Sequence, residues 1–389
     1  MQQEKNGISI GIAGAGLAGR LLAWQLAAAG HRVSVFDPAA SALPQFADEH
    51  PTLPQAAGFT AAGMLSPIAE LDNAEPAVAA LGWRSIALWQ RIAAAIALPS
   101  AALQIQGSLL LAHRSDAGAA QRVLDRIHAA EQSQVWQNAL PEYTGVQKLS
   151  HEQLGALEPR VQGAAHAWLL GGEGAIDPVA AMAALHQAAS RHGAQWHWGQ
   201  RVTQLDEDGR LHLGNGQVQQ FDAVIDARGV GANTAIEGGV RGVRGETIWL
   251  QAPAHDLVRP VRLLHPRYRV YIVPRNADTI FIGASEIESQ DYSPVSLRTA
   301  VELMTAAHSV LPELVEARIL RLDSNCRPAT PDNNPVVVWQ GQRLVINGLF
   351  RHVWLLAPAL VEQALGQAPF ALTAIAAITA TATTAAPQG

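Results

Sequence analysis

The sequence predicts an α/β protein in which a discontinuous parallel-sheet domain carries a second, mostly antiparallel β-sheet domain within it. Three observations predict this. Ile8 to Asp37 reads as an apolar strand, a glycine turn, an amphipathic helix and a second apolar strand ending in an acid. Apolar strands of the same kind return near 221–229 and 344–348. Between those two, the runs at 246–251, 270–274 and 279–283 are β-branched or apolar with no long helix separating them, which is the pattern of antiparallel strands.

The opening unit has the form of a Rossmann-type dinucleotide site. Its turn is Gly14-Ala15-Gly16-Leu17-Ala18-Gly19, and Asp37 follows the last glycine by eighteen residues. Gly14 makes the tight turn, Gly16 lets the backbone approach a pyrophosphate, and Gly19 lets the helix pack closely on the strand. The helix beginning at Leu17 and Ala18 points unpaired N–H groups at the phosphates. Asp37 is placed to accept from a ribose 2′-hydroxyl, and its carboxylate disfavours the 2′-phosphate of NADP.

A polar, proline-broken loop follows (Pro38 to Pro54), then a small-residue cluster, Gly58 to Pro67, which fills too little volume for a packed helix face and suits backbone lying against something flat. Ala77 to Ile96 carries a rough apolar stripe (Leu81, Ile86, Leu88, Ile92) and predicts a helix. Gly107 to Ala112 predicts a buried strand, and Ala117 to Gln132 a helix with a polar face. Ser150 and Gln153 have the spacing of a capping box. Asp177 and Pro178 are a favourable N-cap and first residue for a helix over 179–192. Asn215-Gly216 predicts a hairpin turn. Ala300 to Leu311 and Ala357 to Leu365 predict the last helices. The end of the chain, 371–389, is a low-complexity Ala/Thr tail with no role assigned.

Bulk properties narrow the function. The chain has 389 residues, 49% of them hydrophobic, and a net charge of −6, so it can bury a large core and offers nothing basic for nucleic acid. Lys5 and Lys148 are its only lysines, so arginine carries nearly all positive charge. The single Cys326 excludes an internal disulfide and a cysteine-based metal cluster, and no His or Asp/Glu cluster has metal-ligand spacing. No run is long and apolar enough for a transmembrane segment, and no signal peptide is visible, so a cytoplasmic protein is expected.

Later segments add five anchors: Ala61-Ala62-Gly63-Met64-Leu65; Gly174 to Pro178; Val243 to Glu246; Val270 to Arg275 with Ile282-Gly283-Ala284; and Arg327-Pro328 with Gly348 to Arg351 and Leu355 to Pro358. With the opening turn, they resemble, in order, the glycine oxidase branch of the D-amino-acid oxidase flavoproteins, over about 8–368. The resemblance implies non-covalent FAD rather than NAD. It implies an FAD-binding domain at 1–85, 150–232 and 325–370, and a substrate-binding domain at 86–149 and 233–324. It assigns FAD contacts to Leu17, Ala18, Asp37, Ala62, Gly63 and Met64, to the backbone of Val202, and to the stretch Leu349, Phe350, Arg351, His352, Val353, Trp354, Leu355. It assigns the substrate carboxylate to Arg327 and Arg351 and an active-site tyrosine to Tyr271.

The implied chemistry suits those residue types. An arginine fork holds a planar carboxylate with two charge-assisted hydrogen bonds. Fixing that end brings the α-hydrogen of a glycine-like or D-amino acid over the flavin for hydride transfer, giving the imine, with O₂ as acceptor. The same fold also admits a dehydrogenase with another acceptor, a 2-hydroxy-acid oxidase, or a low-turnover flavoprotein that assists another enzyme. A homo-oligomer is compatible with all of these. Other readings compete at single residues. Arg228 is read as the structural partner of an acid, His352 and His265 as the histidines nearest the chemistry, and Cys326 as a poor match for a flavin-linked cysteine. The chain departs from its relatives at Val353 and Trp354, expected in a loop beside the flavin. It departs also in the long Pro38–Pro54 loop and at Asp226-Ala-Arg-Gly. The departures put glycine itself in question as the substrate.

Overall fold

The structure is a computed structural model and describes residues 7–44, 55–71, 75–133, 145–232, 236–264 and 269–368. The Ala/Thr tail, His265, Lys5 and most of the 38–54 loop lie outside the described residues.

The parallel sheet forms as expected. β1 (Ser9–Ala13), β2 (Arg32–Asp37), β9 (Gln195–Trp198), β13 (Ala223–Asp226), β19 (Val336–Gln340) and β20 (Arg343–Asn347) lie in the order β19-β20-β13-β1-β2-β9. All neighbours run parallel except β19, which returns antiparallel to β20. Helix α1 (Leu17–Ala28) joins β1 to β2, and its glycines are needed where they stand. Gly14 holds φ +101°, a conformation L side chains rarely adopt. A Cβ on Gly19 would come within 1.9 Å of the Gly14 carbonyl oxygen. A small meander of β10 (Val202–Leu205), β11 (Arg210–Leu213) and β12 (Val218–Gln220) includes the hairpin at Asn215-Gly216.

The second sheet has eight strands. In order these are β18 (Arg318–Ala329), β14 (Arg241–Gln251), β17 (Thr279–Gly283), β16 (Arg269–Asn276), β15 (Val261–Leu264), β5 (Ser108–Ala112), β7 (His166–Leu170) and β6 (Val146–Leu149). Its pairs are antiparallel except β5 with β15. Three short strands, β3 (Met64–Leu65), β8 (Gly174–Ile176) and β4 (Leu103–Gln104), form a small sheet in the order β3-β8-β4.

A short helix that the sequence does not predict, α2 (Pro67–Glu70), precedes the expected ones: α3 (Pro76–Ala95), α4 (Ala117–Glu131), α5 (His151–Leu157), α6 (Pro178–Arg191), α7 (Leu297–His308) and α8 (Val353–Gly366). Ser150 caps α5 with the reciprocal Gln153 bonds, and Asp177 Oδ1 accepts from Val179 and Ala180 at the start of α6. Several segments fall on the other side of the expected division of the chain, among them residues 325–329 of β18, which pair with β14 in the eight-stranded sheet. β7, at 166–170, hydrogen-bonds into the eight-stranded sheet. Residues 86–95 of α3 share the core of the parallel sheet, where Ile86, Trp89 and Ile92 pack with α8. The reason is physical: an apolar run specifies that a segment is buried, but not which sheet buries it.

Candidate active site

The carboxyl ends of β1, β2, β13 and β20 lead into Gly14, Asp37, Ala227 and Asn347, which all line one cavity of about 900 Å³. Ligands of open α/β sheets bind at such strand ends. The first turn of α1 has no side-chain cap, so its N–H groups open onto this space beside Gly16, Leu17 and Ala18. Asp37 stands across the turn, its Oδ2 accepting the Ala15 N–H at 2.6 Å and its Oδ1 the Ala39 N–H at 2.8 Å. Each oxygen keeps a second lone pair for a ligand hydroxyl. Gly19 does not line the cavity; it sets the packing behind the turn. Arg20, 1% exposed, donates from there to the carbonyls of Ala15, Met182 and Ala42, and burial lowers its pKa to about 10.

Ala62, Gly63, Met64 and Val202 also line the cavity, as do Leu349 to Leu355. Arg275 fixes the first of these from the other sheet, donating to the carbonyls of Ala62 at 2.6 Å, Ala61 at 3.4 Å and Ile176 at 3.3 Å. Arg228 pairs with buried Asp226 and donates to the carbonyls of Val202 and Thr203, tying the meander to β13. Its role is the structural one the sequence suggests.

At the other end, the face of the eight-stranded sheet presents Tyr271, Thr247, Asn325 and Arg327. Tyr271 lies opposite Gly283, and Gly283 opposite Thr247, so the three cross the sheet in one row. Arg327 donates to the carbonyls of Ser285 at 3.1 Å and Arg244 at 3.4 Å, and no described carboxylate pairs with it. Its guanidinium lies flat on the backbone of Gly245, where a Cβ would come within 2.5 Å of it; a Cβ on Gly283 would meet the Tyr271 ring at 2.6 Å. Burial pushes the Tyr271 phenol up, against the opposing pull of Arg327, so it stays a neutral donor. The Oγ atoms of Thr247 and Ser66 are buried on this cavity's wall without a partner in the protein.

Two expectations change here. Arg351 lines the cavity but is not a free fork: its Nε lies 3.2 Å from Glu70 Oε2 and its Nη1 3.4 Å from Glu286 Oε2. A substrate carboxylate would have to displace both acids. Val353 and Trp354 belong to the first turn of α8, not to a loop. The Trp354 indole turns back into the protein, 2% exposed, stacked on Trp89 and donating to the Gly58 carbonyl at 3.1 Å. It braces the 58 segment from behind and leaves the cavity's open space to Val353.

Glu70, Glu286, Thr247, Ser66, Arg275 and Arg20 were not legible as site residues. The available signal for Glu70 was its place three residues past a small-residue stretch expected to lie flat; Arg275 stood inside an anchor without a role. His352, buried, approaches Glu70 with Nδ1 at 3.4 Å.

A glycine turn, an uncapped helix start and a ribose-directed acid share one cavity with an unpaired arginine on a second sheet. The sequence profile described as DAO, FAD dependent oxidoreductase, matches residues 9–363. The chain belongs to the DAO family of FAD-dependent oxidoreductases. A Rhizobium etli protein described as the thiamine biosynthesis oxidoreductase ThiO is 34% identical over 355 residues, covering 90% of this chain and 93% of that one. Glycine oxidase of Geobacillus kaustophilus is 26% identical over 395 residues, covering 94% of this chain and 96% of its own. Its crystal structure superposes with a TM-score of 0.75 at 24% identity, over 94% of this chain and 96% of that one. Iminodiacetate oxidase of Chelativorans sp. BNC1 superposes equally well, at 0.75 and 21% identity, over 92% and 94% of the two chains. The cofactor is therefore FAD, and the cavity fits it: the turn and helix start suit the diphosphate, Asp37 the ribose, and the small residues 61–64 a flat ring. Among the described residues, no helix is long and apolar enough to cross a membrane.

Proposed function

We propose that this FAD-dependent oxidoreductase oxidises a small amino acid or amine carrying a carboxylate to the corresponding imine, with O₂ as electron acceptor. Arg327 carries the reading. A guanidinium held by two backbone carbonyls, flat against a glycine and beside a neutral tyrosine, is preorganised for a planar carboxylate. Bound FAD supplies the acceptor for the hydride equivalent leaving the α-carbon. The protein supplies orientation: Arg327 takes the carboxylate, Tyr271 donates a further hydrogen bond, and the apolar wall at Met64 and Val353 excludes water. Loss of the hydride from the α-carbon calls for the neutral amine, whose lone pair develops into the imine. The glycine oxidase and ThiO relatives support an amine donor. Anaerobic bleaching of the yellow protein by glycine, sarcosine or a D-amino acid, with ammonia or methylamine released, is the expected outcome; a flavin reduced only by hydroxy acids would overturn it. Peroxide under air, against reduction of an added dye, decides the acceptor.

The Rhizobium relative favours one biological setting, the same oxidation serving thiamine biosynthesis. Disrupting the gene is then expected to impose a thiamine requirement, and growth without added thiamine would refute that setting.

A further inference from the structure

Resting on the reading of Arg327 as the carboxylate receptor, we propose that Glu70, together with Glu286, restricts the site to substrates with a single carboxylate by keeping Arg351 engaged. Among the arginines that line the cavity, Arg327 and Arg351 are not equivalent. Arg351, 14% exposed in its side chain, faces Glu70 at 3.2 Å and Glu286 at 3.4 Å. Glu70 also lies within 3.4 Å of His352 Nδ1 and 4.0 Å of Arg262 Nη1. Glu70 and Glu286 face Arg351, and Glu70 also approaches Arg262, whereas Arg327 alone of these three arginines has no described carboxylate against it. One incoming carboxylate therefore finds Arg327 open to it, and a second meets two acids already in place. Repulsion between like charges is strong where water is scarce, and discrimination between substrates is built as readily from such repulsion as from attraction.

The acid is held rigidly. Glu70 closes α2, and the Ile68 and Ala69 N–H groups of that helix donate to Oε1 of fully buried Glu173 at 2.6 and 3.1 Å. Arg262 grips the same helix through the Ala69 carbonyl. Glu286 is fixed by its neighbour, since the Ser285 carbonyl accepts from Arg327. Glu286 adjoins Ser285, the residue whose carbonyl holds Arg327, and Glu70, Glu286 and Arg327 all act on the Tyr271 phenol, so on this proposal the far end of a small dicarboxylate meets the two acids.

The test uses the FAD-loaded enzyme with acetate and malonate as probes, titrated anaerobically and read by perturbation of the flavin absorbance. Sarcosine and iminodiacetate serve as the turnover pair. Wild type is expected to bind acetate more tightly than malonate. Glu70→Gln is expected to raise malonate affinity relative to acetate by roughly tenfold or more, with iminodiacetate gaining on sarcosine in kcat/KM in the same sense. Glu286→Gln, at a half-exposed position that folding tolerates, is expected to move both ratios the same way by a smaller factor and serves if Glu70→Gln does not fold. Ratios that change by less than about twofold in the folded variants overturn the proposal. Arg327→Met separates the two readings. If it abolishes binding of both acids while the glutamate variants change nothing, only the role of Glu70 and Glu286 falls. If it leaves acid binding intact, the Arg327 reading falls first.

Discussion

Arg327 and Arg351 stand on one cavity wall, and what separates them is what they already touch. Arg327 is held by carbonyl oxygens, which orient a guanidinium without neutralising it. Arg351 is held by carboxylates, which do both. Replacing Arg327 with alanine is therefore expected to cost about 3 kcal/mol of carboxylate recognition, roughly 100-fold in kcat/KM and expressed mainly in KM, with FAD retained. Steady-state kinetics beside the flavin spectrum checks it; an unchanged KM would remove Arg327 from the site. Gly245→Ala gives a second route to the same residue. The new Cβ would fall 2.5 Å from the guanidinium, so it is expected to displace Arg327 and raise KM. At this scale the sequence was legible where chemistry demands a type, an arginine for a carboxylate or a glycine for a close approach. It was silent about pairing, because nothing local in Phe350-Arg351-His352 reveals that Glu70, far off in sequence, takes the arginine.

Elements were more legible than residues, since strand and helix follow from periodicity and caps that lie within a few positions of one another. The Asp177 cap, the Ser150 capping box and the Asn215-Gly216 hairpin are local devices and stand where the sequence puts them. Sheet membership is not local, which is why β7 and part of α3 fall across the expected division. The turn before α1 makes the sharpest prediction at this scale. Gly19→Ala would bring a Cβ within 1.9 Å of the Gly14 carbonyl oxygen, forcing helix and turn apart. FAD affinity is expected to fall by at least about tenfold, measured by flavin fluorescence on rebinding. Helix α2 makes a different prediction through Glu173, whose carboxyl is pushed up by burial to about 7, against hydrogen bonds from Ser108, Ala69 and Ile68 that favour its charged form. A carboxyl whose pKa is raised on folding binds its proton more tightly in the native protein than in the unfolded chain. Its contribution to stability is thus fully present below the ordinary value of 4.5 and is lost as pH rises toward 7. Chemical denaturation of the wild type across that window is expected to show stability declining with pH, and Glu173→Gln, which cannot ionise, to flatten the decline. An equal slope in both proteins would assign it elsewhere.

Across the whole molecule, one cavity is assembled from both sheets, with the glycine turn on the first and Arg327, the carboxylate receptor of the proposed function, on the second. The six anchors of the family resemblance were visible as separate stretches, but their convergence needs the chain's long-range topology. Arg275, which joins the two halves, stands inside one of those anchors, but nothing in its stretch reveals what it holds. Arg275 leaves β16 and spends its guanidinium on the carbonyls of Ala61, Ala62 and Ile176, stacked over Trp249 and Phe281 at 5.6 and 5.0 Å. Burial lowers its pKa to about 10, with Asp177 opposing, so the group remains charged at neutral pH. Replacing it with methionine keeps the apolar stacking and strands three carbonyls, a loss of about 2–3 kcal/mol by the cost of unmade buried hydrogen bonds. Because the segment it holds lines the cavity, the damage should extend beyond stability. A ligand that binds only the folded protein stabilises it by about 2.7 kcal/mol at 100 times its Kd. FAD is thus expected to raise the unfolding midpoint of the wild type by several degrees, and to raise that of Arg275→Met by clearly less at the same FAD concentration. Paired thermal unfolding of stripped and reloaded protein measures this directly. A variant that is simply less stable, with the full FAD-induced shift preserved, would show that Arg275 joins the two sheets without shaping the site between them.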